Sequence, residues 1–457
     1  MKLKNMLQKS TLLIGSMLII SGCDTQTMES NLGAPMPYSY SNNNMMPTGK
    51  LTTFYGDITN QRILGIDIES MSVSSDTPTN GLKPYTVGRA DGRNGNLNKL
   101  YGVTRNSPWM EIIDLSTRQI TGTVPLQHTP RSCAYNEVLG LQLVSGIDKP
   151  MSSLIDPKTD QVVATAGRNT LVTPTDTGGS NATGHPVWLS STVFAILDRE
   201  VRKIDTYKVE QMNGQWSTRF LQSISTPTSA HHFIGKGSDG MDTGIAMNDP
   251  VMNKFYVITE GSALDNIPPS VLELDFSNEM LSINRSVSFD HAATLDEHNN
   301  PNFDTAHTAP EITGGHHATF HPSGRYLYVG SKAGEVLVVD VTKMHIIKQI
   351  PAGSGSGHTT FIPQKGLGIV TNHGAQFVTI IDTTTHTKIK DLMVSGVSQN
   401  SVIMQSHTSF TDAAGDFFYA FASNNGVFYE VNLTTLEVSR TLTTGGTPVQ
   451  GCFTYLP

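Results

Sequence analysis

Short apolar segments alternate with polar, turn-rich segments along the chain, and one phrase of this pattern recurs. Each copy is a short apolar run that ends in Asp or Asn and is followed by a turn rich in Thr, Ser, Pro or Lys. Most copies end 42 to 50 residues apart, with two longer intervals of 65 and 70 residues, at Asp67, Asp114, Asp156, Asp205, Asp275, Asp340, Asp382 and Asn432. A recurring unit of this length predicts an array of small β-sheets.

The repeat that ends its phrase at Asp340 shows all four strands of its predicted sheet. The four predicted strands begin at His317, Arg325, Glu335 and His345. The two middle segments, RYLYVG and EVLVVD, are apolar at most positions, as expected for strands that are buried on both faces. Eight such copies predict an all-β protein, a β-propeller of eight four-stranded blades. Seven blades, with one repeat misread, is the alternative.

The two ends of the repeat array complement each other. The first repeat begins at Leu51 with what the pattern predicts to be its second strand. After the last repeat there is room for an outer strand over 438–442 and for one more strand over 450–456. We therefore expect the C-terminal strand to pair into the first blade as its missing inner strand. This closure would leave the ring without an open sheet edge.

The N-terminal 22 residues have the layout of a secretory signal peptide. Lys2, Lys4 and Lys9 form a basic segment that precedes an apolar stretch over 11–20, which is too short to span a bilayer. The sequence Ile-Ser-Gly-Cys that ends at Cys23 resembles the lipobox of bacterial lipoproteins. That resemblance implies a lipid anchor (palmitate and related acyl chains) on Cys23 and removal of the preceding residues. An ordinary secretory signal with an incidental cysteine is the alternative.

The predicted domain order follows from these patterns. Residues 1–22 form a lipoprotein signal peptide, 23–50 a flexible tether, and 51–457 the β-propeller domain, with a long top-face insertion at about 286–315. A lipid anchor implies attachment to the bacterial cell envelope, facing the periplasm or the cell exterior. Asp24 after the lipidated cysteine resembles an inner-membrane retention signal in some lineages only. The choice between inner and outer membrane therefore stays open.

The composition excludes several classes of protein. Only 15% of the 457 residues are charged, and there are 41 Gly and 23 Pro, which argues against a coiled coil, a helical bundle or a charged disordered protein. The net charge of −8 argues against nucleic acid as a partner, because nucleic-acid binding requires a basic surface. The three cysteines are too few for a disulfide framework. The predicted fold therefore depends on its apolar core.

Many of the 15 histidines fall at related places in the repeats. His185, His316, His317, His358 and His407 each lie near the start of a predicted inner strand, 20 to 25 residues before the Asp or Asn of their blade. The same reasoning gives further candidates that face the top of the channel, namely His231, His232, His373, Cys133 and Cys452. Strands from different blades converge on the channel, so these side chains are predicted to lie close together.

Imidazole and thiolate groups are the usual protein ligands of Cu, Zn and Fe. A propeller channel brings such groups together from distant parts of the sequence, so no short ligand motif is expected. The pattern therefore predicts a metal or metallocofactor site, with His317, His358 and His407 sharing one site. The alternative is that each histidine only bonds the backbone of a neighbouring blade.

The segments GRYLYVG, VLVVDV and HIIKQIPAG resemble the YVTN-type propellers of exported bacterial proteins. The chain is also loosely similar to the copper propeller of nitrous oxide reductase and to the haem-binding propeller of dissimilatory nitrite reductases. The similarity to nitrous oxide reductase implies copper held by inner-strand histidines such as His316, His317 and His358. The similarity to the nitrite reductases implies haem in the channel. The cysteines at two ligand positions and the lack of a cupredoxin domain or a CxxCH motif depart from these patterns.

The sequence thus predicts a lipid-anchored, extracytoplasmic β-propeller that binds a transition metal, with copper favoured, or a metallocofactor. No acid–base pair stands out, so no catalytic residue is predicted and a role in metal handling, delivery or sensing is favoured over turnover. A scaffold that grips a protein partner on its top face, without metal, is one alternative. A haem-type redox enzyme is the other.

Overall fold

The computed structural model describes residues 49–92, 97–172, 181–235, 254–262, 265–289, 293–295, 301–303, 314–396 and 403–456. Within these ranges the chain forms eight four-stranded antiparallel sheets arranged as a β-propeller, which confirms the predicted all-β fold and blade number. The predicted signal peptide and nearly all of the tether lie outside the described residues. None of the described segments forms a helix that is long and apolar enough to cross a membrane.

The strands follow one another from blade to blade. The strands that begin the array are β1 (Lys50–Asp57), β2 (Arg62–Asp67), β3 (Ser72–Pro78), β4 (Pro84–Arg89), β5 (Lys99–Thr104), β6 (Trp109–Asp114), β7 (Gln119–Pro125), β8 (Pro130–Asn136), β9 (Leu141–Gly146), β10 (Met151–Asp156), β11 (Gln161–Gly167), β12 (Val187–Trp188), β13 (Val193–Asp198), β14 (Lys203–Met212) and β15 (Gln215–Ser225). Blade 1 contains β1 to β3, and blades 2, 3 and 4 contain four strands each, beginning at β4, β8 and β12.

The second half of the chain continues the same order. Its strands are β16 (Ala230–Gly235), β17 (Lys254–Thr259), β18 (Ser270–Ser277), β19 (Met280–Ser288), β20 (Ala293–Leu295), β21 (Pro301–Phe303), β22 (Gly315–Phe320), β23 (Tyr326–Ser331), β24 (Glu335–Asp340), β25 (His345–Pro351), β26 (Ser356–Ile362), β27 (Leu367–Asn372), β28 (Phe377–Asp382), β29 (Thr387–Met393), β30 (Ser409–Thr411), β31 (Phe417–Ala422), β32 (Val427–Asn432), β33 (Glu437–Thr443) and β34 (Pro448–Leu456). Blades 5 to 8 begin at β16, β22, β26 and β30. Short 3-10 helices cover Pro363–Lys365 and Ser423–Asn425.

Two features of the predicted organisation can be compared with these bounds. Strand β34 pairs antiparallel with β1, so that Thr53 faces Phe453 and Phe54 faces Cys452, which confirms closure by the C-terminal strand. In the predicted insertion at 286–315, β20 and β21 pair with each other as a separate two-stranded sheet. Most of the remaining insertion lies outside the described ranges.

The residue that ends the repeated phrase caps the turn behind it. The Asp382 Oδ1 atom accepts backbone N–H bonds from Thr384 and Thr385 at 2.8 and 2.9 Å, and the amide oxygen of Asn432 does the same two and three residues on. Four residues after the cap, six blades place a non-glycine residue at a φ between 48° and 59°: Met71, Arg118, Asp160, Met344, His386 and Leu436. Such residues disfavour this region. The hydrogen bonds to the capping residue therefore stabilise a turn that includes a residue in an unfavourable backbone conformation.

A register irregularity near the start of the inner strands decides which side chains reach the channel. In β22 it lies between Gly315, which pairs with Ser331, and Ala318, which pairs with Val329. A regular strand sends consecutive side chains to opposite faces. The extra residue of a bulge changes this alternation, so His316 and His317 both join the channel cluster described below. Strands β4, β8, β16 and β26 carry an irregularity at the corresponding place.

Candidate metal centre

Eight buried imidazoles form one cluster in the channel, and all eight were candidates from the sequence. Their side chains belong to residues at most 5% exposed: His185, His231, His232, His316, His317, His358, His373 and His407. His317 lies at the centre. Its ring centroid is 3.9 Å from that of His358 and 4.0 Å from that of His316, and the other five centroids lie between 5.5 and 6.3 Å away.

Within this cluster, two sets of three imidazoles bring their ring nitrogens close to one another. In the set of His231, His316 and His317, one nitrogen of each ring lies within 4.8 Å of the others, and the same holds for His317, His373 and His407. His317 is common to both sets. The structure therefore offers either two adjacent sites that share His317 or one larger site around it.

The trio predicted to share a site is brought together only in part. His317 and His407 belong to the same set, with ring centroids 6.1 Å apart. His358 stacks on His317 at 3.9 Å but belongs to neither set. The third place is taken by His373, which comes from the hairpin after β27 and stacks on His407 at 3.9 Å. The hairpin thus supplies a donor where the inner strand of blade 7 has glycine.

That glycine is Gly357, and its lack of a side chain makes room for His373. A Cβ atom on Gly357 would lie 2.1 Å from the His373 Nε2 atom. No pair of atoms tolerates that distance without movement, so any larger residue here would push the ring aside. Gly357 therefore belongs to the site through the space that it leaves.

Hydrogen bonds fix the tautomer of several imidazoles. The Nδ1 atom of His316 lies 2.9 Å from the carbonyl oxygen of Ser356, and that of His373 lies 3.2 Å from the carbonyl oxygen of Gln405. A carbonyl oxygen only accepts, so both rings donate from Nδ1 and carry the lone pair on Nε2. Among the described residues these two Nε2 atoms are buried and have no partner. This is how metal-binding histidines are usually oriented.

His231 is oriented by a carboxylate. Its Nδ1 atom lies 3.0 Å from Oε1 of Glu260. The Glu260 carboxylate also accepts hydrogen bonds from Lys332, at 3.0 Å, and from Arg199. Although burial opposes it, Arg199 and Lys332, together with His231, hold the pKa of Glu260 well below its usual value. The charged carboxylate therefore accepts the Nδ1 proton of His231 and raises the basicity of its Nε2 atom.

His232 has the opposite tautomer. The backbone N–H of Ala318 donates to its Nδ1 atom at 2.9 Å, so the proton of the neutral ring lies on Nε2. That nitrogen is buried and has no partner among the residues described. His232 therefore presents a hydrogen-bond donor to the channel instead of a lone pair. The sequence placed it with the ligands, and the register of β22 gives it this other role.

Burial keeps the imidazoles neutral. It lowers the pKa of His373 to about 4 and, against the opposing effect of Glu260, that of His231 to about 3. The pKa values of the other six rings also lie well below the usual value, through burial first and then through neighbouring charged groups and rings. Metals bind the neutral imidazole, so the cluster holds its ligands in the binding form near neutral pH.

Cys133 and Cys452 lie apart from the imidazole sets. Both are buried free thiols in an apolar cluster that includes Val87 and Val144. Cys133 pairs with Val144 and so occupies the register position of Ala318 in blade 6, one residue beyond that of His317. A shift of one residue sends a side chain to the other face of a strand. Burial accordingly raises the pKa of Cys452 to about 12 and that of Cys133 further.

The sequence reasoning missed the charged residues of the channel mouth. Glu260 and Lys332 each follow directly after the second strand of their blade, as His373 does, and Arg105 and Arg199 follow β5 and β13 in the same way. All except Lys332 are buried. The hairpin position that identified His373 would have identified them too, had charged turn residues been given the same weight.

Comparison with known proteins supports the fold only. No protein-family model and no curated protein sequence matches the chain. Among solved structures, the dihydro-haem d1 dehydrogenase NirN in complex with DHE is similar with a TM-score of 0.57 and 11% identity, over 94% of this chain and 81% of that one. Apo AztD from Citrobacter koseri has a TM-score of 0.54 and 9% identity, over 89% and 98%.

A eukaryotic protein is similar to the same extent. Sqt1 from Saccharomyces cerevisiae has a TM-score of 0.55 and 10% identity, over 88% of this chain and 90% of that one. Structural similarity at identities this low shows a shared β-propeller architecture and nothing further. The function has to be argued from the channel itself.

Proposed function

We propose that the protein binds a transition metal, with copper preferred, through ring nitrogens of the channel imidazoles, and that a lipid anchor on Cys23 holds it at the bacterial cell envelope. The observation that carries the first part is the convergence of two sets of three buried imidazoles on His317. The second part rests on the lipobox-like sequence alone.

The hydrogen bonds of the cluster support a metal over a purely structural role. Backbone carbonyls accept the Nδ1 protons of His316 and His373, and the buried Nε2 lone pairs have no partner among the described residues. A buried acceptor without a partner costs about 1–3 kcal/mol. A histidine with a purely structural role would orient its Nε2 atom towards a hydrogen-bond donor. A bound cation instead accepts the Nε2 lone pair directly.

The donor set selects the class of metal. In the described part of the chain, both sets consist of imidazole nitrogens alone. Imidazole suits Cu, Zn, Ni and Fe, while Ca²⁺ and Mg²⁺ require oxygen ligands. For divalent ions at a given nitrogen site, affinity is highest for Cu²⁺. Copper therefore remains the favoured ion of the proposal, and zinc is its strongest competitor.

The haem alternative has weaker support. NirN was solved with a haem-type ligand, and the two proteins share a fold. In this chain, however, the channel imidazoles are packed against one another, with His317 stacked on His358 and His373 on His407, both at 3.9 Å. Rings at that distance are in van der Waals contact. A flat tetrapyrrole does not fit between them in this arrangement.

Low imidazole pKa values favour binding over turnover. A general acid or base works best with a pKa near the working pH. The pKa values of His231 and His373, at about 3 and about 4, are far below neutrality. These groups exchange protons poorly near pH 7 and serve well as permanent lone-pair donors. Holding, delivery or sensing of the ion is the role that follows.

Metal content and a visible spectrum of the full-length protein test the proposal. We expect copper or zinc in the purified protein, a higher affinity for Cu²⁺ than for Zn²⁺ in competition, and no Soret band. His317→Ala removes the ring common to both sets and should lower the affinity at least about tenfold. The control is His345→Ala, an exposed histidine on β25.

Two results would refute the proposal. The first is a wild-type protein that takes up no more Cu²⁺ or Zn²⁺ than His317→Ala. The second is a Soret-like band that disappears with the same substitution, which would assign the cluster to a tetrapyrrole.

A further inference from the structure

A second polar group lies beside the imidazole cluster and is not explained by metal binding. Arg105 follows β5 at the channel mouth, and its guanidinium carbon lies 3.5 Å from the ring centroid of Tyr85. The Tyr85 ring is in turn 6.0 Å from that of His407. This places a cation, a phenol and an imidazole side by side at the edge of the channel.

The charge of Arg105 has no counter-charge among the described residues. Arg105 is 7% exposed, and its Nε and Nη2 atoms are buried without a hydrogen-bond partner in the described part of the chain. Burial lowers its pKa well below the usual value, with no carboxylate in the described ranges acting against it. Guanidinium nevertheless resists deprotonation, so an isolated one is costly to bury.

Polar groups around Tyr85 and His407 are also unpartnered within the described ranges, and Gln450 follows Val449, whose carbonyl accepts the His407 N–H. The Tyr85 hydroxyl, both nitrogens of His407 and both amide atoms of Gln450 are buried without partners among the residues described. Tyr85 packs with Ile403 and Val449 in an apolar cluster, and His407 donates its backbone N–H to the carbonyl of Val449. Polar groups in such surroundings interact strongly with a charge because little water screens them.

We propose that Arg105 and Tyr85 form an anion-binding site next to His407, which takes a small ligand with an anionic oxygen group, a carboxylate or a phosphate. The planar fork of a guanidinium matches both groups. Asn106, the next residue after Arg105, is exposed, so the turn that carries Arg105 reaches the protein surface. An anion there would also neutralise charge beside a metal bound to His407.

The test uses metal-free full-length protein in chloride buffer, so its result does not depend on the proposed metal site. Acetate and inorganic phosphate are titrated separately at constant ionic strength while the melting temperature is measured. Ligands that bind only the folded state raise it with concentration. We expect the wild-type melting temperature to rise with at least one of the two anions. A response to acetate alone assigns a carboxylate, and a response to phosphate alone assigns a phosphate.

Two variants assign the effect to the site. Arg105→Gln removes the charge and should weaken anion binding at least about tenfold, while its melting temperature without anion should be no lower than that of the wild type. Tyr85→Phe keeps the ring and should weaken binding less. The control Arg219→Gln, on the exposed hairpin of β14 and β15, should respond like the wild type. No response to either anion, or equal responses in wild type and Arg105→Gln, would overturn the proposal.

Discussion

The inner strands of blades 3 and 6 have the same backbone course and opposite chemistry. In β22, Gly315, His316, His317 and Ala318 span the register irregularity, and in β8 the corresponding residues begin at Pro130 and include Arg131, Ser132 and Cys133. Blade 6 therefore sends two imidazoles to the channel, while blade 3 sends an arginine and a serine and turns its cysteine into the apolar core.

The comparison shows that the fold supplies positions and leaves their chemistry to single residues. The same bulge recurs around the ring, and four consecutive blades place a histidine at its second position: His185, His232, His317 and His358. The remaining blades have an amide or hydroxyl side chain there. The channel is thus divided into a side rich in imidazoles and a side without imidazoles at this level.

The largest expected difference between the two sides is in their response to acid. Unfolded histidine has a pKa near 6.5, and in the folded protein that of His373 is about 4. The unfolded chain therefore takes up more protons as the pH falls. The contribution of such an imidazole to the free energy of unfolding is fully present above about pH 6.5 and is lost as the pH falls towards the folded pKa. Between pH 7 and pH 5 the loss is about 2 kcal/mol per imidazole.

Unfolding of metal-free protein at several pH values checks this expectation. His373→Gln should reduce the pH dependence of the free energy of unfolding. Stability that stays constant from pH 7 to pH 5 would show that the imidazoles are not buried as described. The thiols of the cysteine side remain protonated over this range and contribute no change.

A smaller effect separates the shape of the site from its ligands. Gly357→Ala places a methyl group against His373 and should move the ring out of reach of His317 and His407. We expect Cu²⁺ affinity to fall at least tenfold, about 1.4 kcal/mol, with little loss of folding. The control is Gly122→Ala on β7, where the nearest heavy atom to a Cβ is 3.4 Å away. Equal metal affinity in the two variants would exclude His373 as a ligand.

The smallest effect concerns the cysteine side. Cys133→Ala removes one buried sulfur from an apolar cluster and should lower the free energy of unfolding by about 1 kcal/mol. Metal content should not change, because the thiol lies in the core. Loss of metal with normal stability would return Cys133 to the ligand set.

Most of the architecture could be predicted from the sequence because it depends on local, repeated features. The apolar runs, the capping Asp or Asn and the incomplete first repeat indicated eight blades closed by β34, as the structure has them. The site was predicted less completely. Spacing and position in the repeat identified all eight clustered histidines, yet spacing also grouped Cys133 with them. The hairpin between β9 and β10 is one residue longer than that between β23 and β24, so equal spacing to the capping Asp places Cys133 one register position beyond His317.

The sequence by itself determined the fold class, the blade number and which histidines converge, since periodicity and repeat length follow from backbone geometry. Only the tertiary structure decided what each of them can do. The carbonyl of Ser356 makes His316 a lone-pair donor, while the N–H of Ala318 makes His232 a proton donor. The tertiary structure also buries Glu260 and Arg105, which the sequence pattern does not distinguish from other turn residues. These roles depend on groups from neighbouring blades, and such contacts exist only when the blades pack against one another.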